Sequence, residues 1–133
     1  TIETACVMSL VLLAVTGILY LCFFVHNRAW LTAAACESAL AGSMEGIRED
    51  GKAEEAAEMR SRALGNTGFF GMENLNIHVQ KGKNIKVTYT ADTNAAFGGF
   101  LWKLKAEGIS KVIDPVLWIR NVKVAGEILT GGE

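Results

Sequence analysis

The sequence predicts an α+β protein in which a long N-terminal α-helix carries a small antiparallel β-sheet on its C-terminal half. Three features predict this class. Residues 4–25 carry no charge, residues 28–48 are rich in strong helix formers, and two segments after residue 70 alternate apolar and polar side chains. These patterns are typical of a membrane-length helix, of its amphipathic continuation and of half-buried strands.

The first element is the apolar segment of 22 residues, 4–25, which we call the apolar rod. A helix of this length spans about 33 Å, close to the roughly 30 Å of a bilayer core. His26, Asn27, Arg28 and Trp30 follow and have the polar, basic and aromatic character of a membrane interface. We therefore expect residues 1–28 to lie in a membrane or in the core of a filament. The packing side chains predicted there are Val7, Leu10, Leu13, Leu21 and Phe24.

Glu3 is the only charged side chain before the end of the apolar rod, and it has two interpretations. In the first, it is an exposed acid at a helix N-terminus, favoured by the helix dipole. In the second, rods pack side by side with an axial stagger, and the Glu3 carboxylate of one chain meets the α-amino group of Thr1 on the next. A carboxylate in apolar surroundings is costly unless it is paired, so this pair would select one register of assembly.

Such a pair requires a free amino group at Thr1. The sequence begins without Met, and no basic segment precedes the apolar rod. We expect that an upstream segment was removed by cleavage and that the rod remains in the mature protein. Residues missing before Thr1 are the alternative.

The helix is expected to continue beyond the membrane edge, to about 45 residues in all, because the next residues are strong helix formers. One side of this continuation is a mostly apolar stripe of Ala29, Ala33, Cys36, Leu40, Met44 and Ile47. The polar side carries Thr32, Glu37, Ser38, Ser43, Glu45 and Arg48. The amphipathic half is the expected cover for the sheet. Gly17 and Gly42 are candidates for close approach or local unwinding, with plain helix packing as the alternative.

A second, short helix is predicted for residues 52–64, after a break in the pattern. Asp50 is placed to cap it, and Gly65 with Asn66 to end it. Glu58 and Arg62 are spaced to form an ion pair on a solvated face. The predicted middle part of the chain, residues 29–65, is therefore helical.

The last part, residues 66–133, is predicted to be a small antiparallel β-sheet domain. Residues 74–80 and 85–91 alternate on either side of a polar turn, which is the pattern of a β-hairpin with one wet face. Residues 92–99 are predicted to form a loop.

A third strand is predicted within residues 100–113, with a break at Gly108 left open. Its apolar face would carry Trp102, Leu104 and Ala106. Asp114 and Pro115 then resemble an N-cap and a first helical residue. We expect a short helix over residues 116–121, leave residues 122–129 unassigned and expect residues 130–133 to be loose.

The composition argues against several functions. The chain has 13 basic and 14 acidic residues and no basic stripe, so nucleic-acid binding is not expected. His26 and His78 have no Cys or carboxylate at catalytic or metal-binding spacing, and no nucleotide-binding, hydrolase or metalloprotease motif occurs. We expect no catalytic residues, no metal and no cofactor, and we do not expect an enzyme.

Three cysteines, Cys6, Cys22 and Cys36, all fall in the predicted first helix. Their spacings put them about 24 and 21 Å apart along a straight helix, too far for any two to form a disulfide within it. We interpret them as small apolar packing residues. A disulfide between neighbouring subunits is the alternative.

Three short segments carry a family resemblance. They are Thr1-Ile2-Glu3-Thr4-Ala5 before the apolar rod, Asn27-Arg28-Ala29 with the Ala-rich segment 31–40, and Asp114-Pro115 with Trp118-Ile119-Arg120. The first resembles the T-V-E-x-A start of TadE/TadG-like pilins of tight-adherence (Flp-type) type IV pilus systems, and the second the segment that follows their membrane helix. The third is similar to a D-P-x-x-[FW]-I-R element of TadE-like proteins from Gram-positive bacteria.

The resemblance implies a type IV pilin-like fold and a defined life cycle. A dedicated prepilin peptidase would process the precursor, the helix would stay in the membrane, and an ATPase-driven assembly platform would extract it into a filament. Glu3 matches the family glutamate that pairs with a neighbouring N-terminus or guides docking. That glutamate is usually the fifth mature residue and here is the third, and Thr4 stands where the family often has an aromatic residue.

The sequence therefore leads to one main expectation of function. It is a structural pilin subunit that polymerises with itself through its N-terminal helix into an extracellular filament on the bacterial surface, for adhesion or attachment. Before assembly it would form a membrane-inserted pool. The alternatives are a minor pilin, or a single-pass membrane-anchored protein whose outer domain binds a partner. An enzyme with a tethered domain is disfavoured because no catalytic site is recognisable.

Overall fold

The computed structural model of the protein describes residues 1–48, 52–69, 71–94, 101–113 and 115–131. It contains α1 (Ile2–Glu45), α2 (Ala53–Gly65), β1 (Met72–Lys81), β2 (Asn84–Asn94), β3 (Leu101–Lys111) and α3 (Pro115–Thr130). The three strands form an antiparallel sheet that packs against α1. The predicted α+β class is confirmed.

Helix α1 is continuous over 44 residues, as the sequence predicts. It contains no proline, and its hydroxyl side chains do not interrupt it. The Ser9 hydroxyl donates to the Ala5 carbonyl at 2.9 Å, and the Thr16 hydroxyl donates to the Leu12 carbonyl at 2.7 Å. Because these groups are satisfied within the helix, the apolar rod can enter a medium that offers no hydrogen bonds.

Helix α2 begins and ends close to its predicted limits. Its end at Gly65 is confirmed, and the N–H of Asn66 donates to the Arg62 carbonyl at 3.0 Å. The predicted ion pair between Glu58 and Arg62 is present. The predicted cap at Asp50 lies outside the described residues.

The sheet has the order β1-β2-β3, and the predicted hairpin is confirmed. Strand β2 extends to Asn94, so the start of the loop predicted over residues 92–99 is strand; the rest of that loop lies outside the described residues. Strand β3 runs unbroken through Gly108. A Cβ at Gly108 would come within 2.3–2.4 Å of backbone atoms of Ala35 and Cys36, so glycine here permits α1 to lie directly on the strand.

The core lies between one face of the sheet and the two helices α1 and α2. Its centre is Tyr89, which is fully buried and donates a hydrogen bond from its hydroxyl to the Ser61 carbonyl at 2.8 Å. The alternation predicted for β2 is confirmed, since all four of its apolar positions are buried: Ile85, Val87, Tyr89 and Ala91. On β3, Leu104 and Ala106 are buried as predicted.

The side of α1 that faces the sheet differs from the two sides read in the sequence. All six residues of the apolar stripe are exposed, whereas Ser38 and Ser43, assigned to the polar side, are buried. The buried side consists of Asn27, Leu31, Ala34, Ala35, Ser38, Ala39, Gly42 and Ser43. Small side chains occupy this buried side because the helix lies very close to β3 and α2. Burial of the serines is tolerated because their hydroxyls are bonded: Ser38 donates to the Ala34 carbonyl at 2.7 Å, and Ser110 donates to Ser43 at 2.9 Å.

The expectation for the C-terminal region was partly wrong. The helix predicted for residues 116–121 continues to Thr130, over 16 residues. It therefore covers the unassigned segment 122–129 and the first residue of the segment expected to be loose. The proposed N-cap Asp114 and residues 132–133 lie outside the described residues.

The sheet is oriented along α1. Strand β3 starts beside Phe24, where Trp102 meets it, and reaches Ser43 through Ser110. These two contacts lie about 29 Å apart along the helix. The domain therefore has a near end, at the apolar rod, and a far end, from which α3 departs.

Candidate functional site

The apolar rod is the most unusual surface of this molecule. It is part of the one helix in the described chain that is long and apolar enough to cross a membrane, with a mean hydropathy of 2.5 over its best 18 residues and none of them buried. Val7, Leu10, Leu13 and Leu21, the predicted packing residues, are all exposed by more than half. None of them lies in the core, and the described part of the chain leaves them uncovered.

Phe24, the fifth predicted packing residue, is placed differently. It is half-buried and packs against the core of its own domain. Its ring meets Trp102 edge to face, with ring centroids 5.9 Å apart and planes at 88°. Such an arrangement is favourable for aromatic rings and fixes the near end of the sheet to the end of the apolar rod.

The near end is lined with further aromatic residues. Phe23 and Trp30 of α1, together with Phe69 after α2, border an open groove of about 300 Å³. With Phe24 and Trp102 they form a group that we call the aromatic junction. Three separate segments of the chain supply it. Sequence reasoning found Trp30 as an interface residue but missed Phe69 and Trp102, because only the fold brings them to this level.

Thr1 and Glu3 occupy the first turn of α1. Thr1 is the N-cap residue without a side-chain capping bond, and its carbonyl accepts from the N–H of Ala5 at 3.1 Å. Both residues are exposed, and Glu3 has no ion-pair partner within the described residues. The position suits the helix dipole, and it leaves the carboxylate available to a group on another chain.

A second apolar surface runs along the outer side of α1 beyond the apolar rod. Leu40 and Met44 of α1, with Ile47 in the turn that follows it, are exposed by 47–63%, on the side opposite the sheet. The predicted stripe thus exists but faces outward. It continues the exposed surface of the apolar rod along the same helix.

Helix α3 is a third apolar surface. Its exposed large side chains are Val116, Leu117, Trp118, Ile119, Val122, Val124, Ile128 and Leu129. Among the described residues, no Cα of α3 lies within 8 Å of a Cα in any other helix or strand. Helix α3 is therefore an amphipathic helix that the core of its own domain does not cover.

The titratable groups with altered pKa values lie in the sheet domain. Burial raises the pKa of Tyr89, and hydrogen bonds from Lys105 and Lys86 lower that of Glu107. Tyr89 is a core residue, and Glu107 belongs to the polar outer face of the sheet, where Lys86 is 3.3 Å away.

The remaining chemistry-bearing residues are dispersed. Over the described ranges, no three His, Cys, Asp or Glu side chains come together as metal ligands would. His78 lies on the wet face of β1, where its Nε2 is 3.3 Å from the Gln80 amide nitrogen. Cys6, Cys22 and Cys36 are free and exposed. The large exposed surfaces formed by bulky side chains among the described residues are apolar.

Comparisons of the chain with protein-family models, with curated proteins and with solved structures gave no match.

Proposed function

We propose that the protein is a structural subunit, a TadE-like pilin, that is held in a membrane by its apolar rod and polymerises through it into a surface filament. One observation carries this proposal. Thirteen large apolar side chains between Ile2 and Val25 are exposed by 44% or more. Covering what remains exposed is worth on the order of 10–20 kcal/mol, since a fully buried side chain of this kind contributes about 1.5–3 kcal/mol.

Two media can cover a helix that is apolar on every side. A bilayer does so in the precursor, because residues 4–25 match its thickness. Copies of the same helix do so in a filament, where each rod exchanges lipid for its neighbours. The outward-facing stripe with Leu40, Met44 and Ile47 extends the apolar surface beyond the bilayer, where only protein can cover it. This extension favours assembly over a simple anchor.

Glu3 supplies the specificity in this proposal. Apolar rods can slide past one another at little cost, since a register shift replaces one apolar contact by another. A carboxylate that must find the Thr1 amino group of the next chain removes this freedom. In the membrane the same group lies at the start of the helix, level with the headgroups.

The test is the variant Glu3→Gln, which keeps size and polarity and removes the charge. Glu54→Gln, an exposed acid of α2, is the matched control. We expect both variants to stay in the membrane after alkaline carbonate extraction. Filament yield in surface shear fractions should fall at least about tenfold for Glu3→Gln, as for the loss of a partner from a desolvated ion pair, and stay normal for the control. Normal filaments from Glu3→Gln would contradict the pairing.

A single-pass membrane-anchored protein whose outer domain binds a partner is the second candidate. The uncovered apolar face of α3, at the far end of the domain, favours it. This candidate requires no contact between rods. Cells that retain the protein in the membrane and produce no filaments would support it.

A further inference from the structure

Trp102 is an exception on the sheet. It occupies the apolar face of β3 with Leu104 and Ala106, yet it is 54% exposed whereas they are buried. Its only aromatic partner in the described chain is Phe24, the next-to-last residue of the apolar rod. A tryptophan from the sheet domain therefore stands at the level where the rod ends, 78 positions after Phe24 in the sequence.

The other aromatic side chains near the end of the apolar rod line a groove beside it. Phe23 and Trp30 are each 44% exposed, and Phe69 borders the same groove. Arg28 and Lys103 are exposed beside them in sequence. Tryptophan rings, which have an apolar body and a polar N–H, are typical of the headgroup layer of a membrane when basic side chains flank them, and the Phe rings add apolar area beside them.

We propose that the aromatic junction is a lipid-binding surface that seats the sheet domain directly in the headgroup layer, with Trp102 as its anchor outside α1. This inference rests on the membrane-inserted stage of the proposed function. Trp102 and Phe24 contact each other, so a bilayer that surrounds the rod up to Val25 also reaches Trp102. The aromatic rings would lie among the glycerol and upper acyl groups, and Arg28 and Lys103 would face lipid phosphates.

The orientation of the domain follows from the same geometry. Because β3 runs alongside α1, Ser110 lies farther from the rod than Trp102 does, by up to about 27 Å of extended strand. Trp118, on α3, borders a groove with Lys83 and Lys111 at that far end. The chain has three tryptophans, Trp30, Trp102 and Trp118. They therefore lie at three positions along the domain, and only Trp30 and Trp102 are expected near the membrane.

The experiment uses single-tryptophan variants of the full chain, with the other two tryptophans changed to Phe. Each is reconstituted in phosphatidylcholine vesicles with bromine on the upper part of the acyl chains, which quenches only nearby indoles. We expect Trp102 emission to fall by about half, and that of Trp118 to stay within about a tenth of its value in unbrominated vesicles. Circular dichroism of each variant checks that the fold is kept.

The outcomes separate the two proposals. If the vesicles do not carry the protein on flotation, the membrane stage of the proposed function fails. If they carry it and Trp102 is quenched no more than Trp118, the lipid-binding junction is wrong while the anchor stands. Equal and strong quenching of both would mean that the domain lies on its side, and would also overturn the proposal. A Trp102 that is shielded in vesicles only at high protein density would indicate a second copy as the occupant and would overturn it too.

Discussion

Gly108 of β3 lies directly against the peptide group of Ala35 in α1. A Cβ built on Gly108 would stand 2.3 Å from the Ala35 carbonyl carbon and 2.4 Å from its oxygen. Real side chains do not approach so closely, and the obstacle is helix backbone rather than a movable side chain. This contact sets the distance between the long helix and the sheet.

The variant Gly108→Ala should therefore destabilise the domain, because α1 and β3 must separate to admit one methyl group. We expect a loss of about 1–3 kcal/mol in the free energy of unfolding, measured by urea titration of the full chain in detergent. Gly68→Ala is the control, since a Cβ at Gly68 meets nothing within 4 Å. An unchanged unfolding midpoint for Gly108→Ala would mean that the helix does not lie on the sheet in this way.

Tyr89 should make the domain sensitive to alkaline pH. Burial raises its pKa above the ordinary value of about 10, so the folded state holds the phenol proton more tightly than the unfolded state does. This contribution to stability is fully present below pH about 10 and is lost as the pH rises through the higher pKa of the folded state. Unfolding midpoints measured from pH 8 to 11 should fall at the alkaline end.

The variant Tyr89→Phe provides the matched comparison for that titration. It removes the hydrogen bond to the Ser61 carbonyl and should cost about 1 kcal/mol at neutral pH. It should also remove most of the alkaline loss, because the buried ionisable group is gone. An equal alkaline loss in both proteins would assign the effect to other groups.

Removal of α3 should leave the core intact. A chain ending after Ile113 lacks the helix of which, among the described residues, no Cα lies within 8 Å of a Cα in another helix or strand. We expect its free energy of unfolding to stay within about 0.5 kcal/mol of the full chain, by thermal denaturation in detergent. A much larger loss would show that α3 packs on its own domain and is not available to a partner.

The native cysteines report what covers the apolar rod. Cys6 and Cys22 are exposed in the single chain, and in a filament freed of lipid only other copies can shield them. We expect a membrane-impermeant maleimide to leave both unmodified in intact filaments and to label them after dissociation in denaturant. A cysteine introduced by Glu54→Cys, on the solvated face of α2, is the control and should react in both states. Rapid labelling of Cys6 in intact filaments would contradict rod packing.

The sequence predicted most of the fold because its strongest signals are local. An uncharged segment of 22 residues is typical of a membrane-length helix. The alternation of apolar and polar residues on either side of Gly82 and Lys83 is sufficient to predict a hairpin. The inward side of α1 could not be read in the same way. Hydropathy favoured Leu40 and Met44, but close approach to Gly108 and to α2 selects small residues such as Ser38 and Gly42.

The candidate surfaces also differ in whether local sequence alone reveals them. The apolar rod and Glu3 are visible in the sequence because composition alone distinguishes them. The aromatic junction is not, since Phe24 and Trp102 meet only when β3 lies beside α1. The length of helix α3 was underestimated because Gly126 weakens its helical pattern. The helix nevertheless continues through Gly126, where a Cβ would meet nothing within 4 Å.

The most direct test of assembly through the apolar rod is negative-stain electron microscopy of surface shear fractions, with mass spectrometry of the same fractions to identify the subunit and its N-terminus. Assembly through the apolar rod predicts thin filaments in which this chain is the dominant protein and begins at Thr1. Filaments that contain it only in traces would make it a minor subunit. Fractions without filaments, from cells that retain the protein in the membrane, would contradict the proposal that the rod is an assembly element.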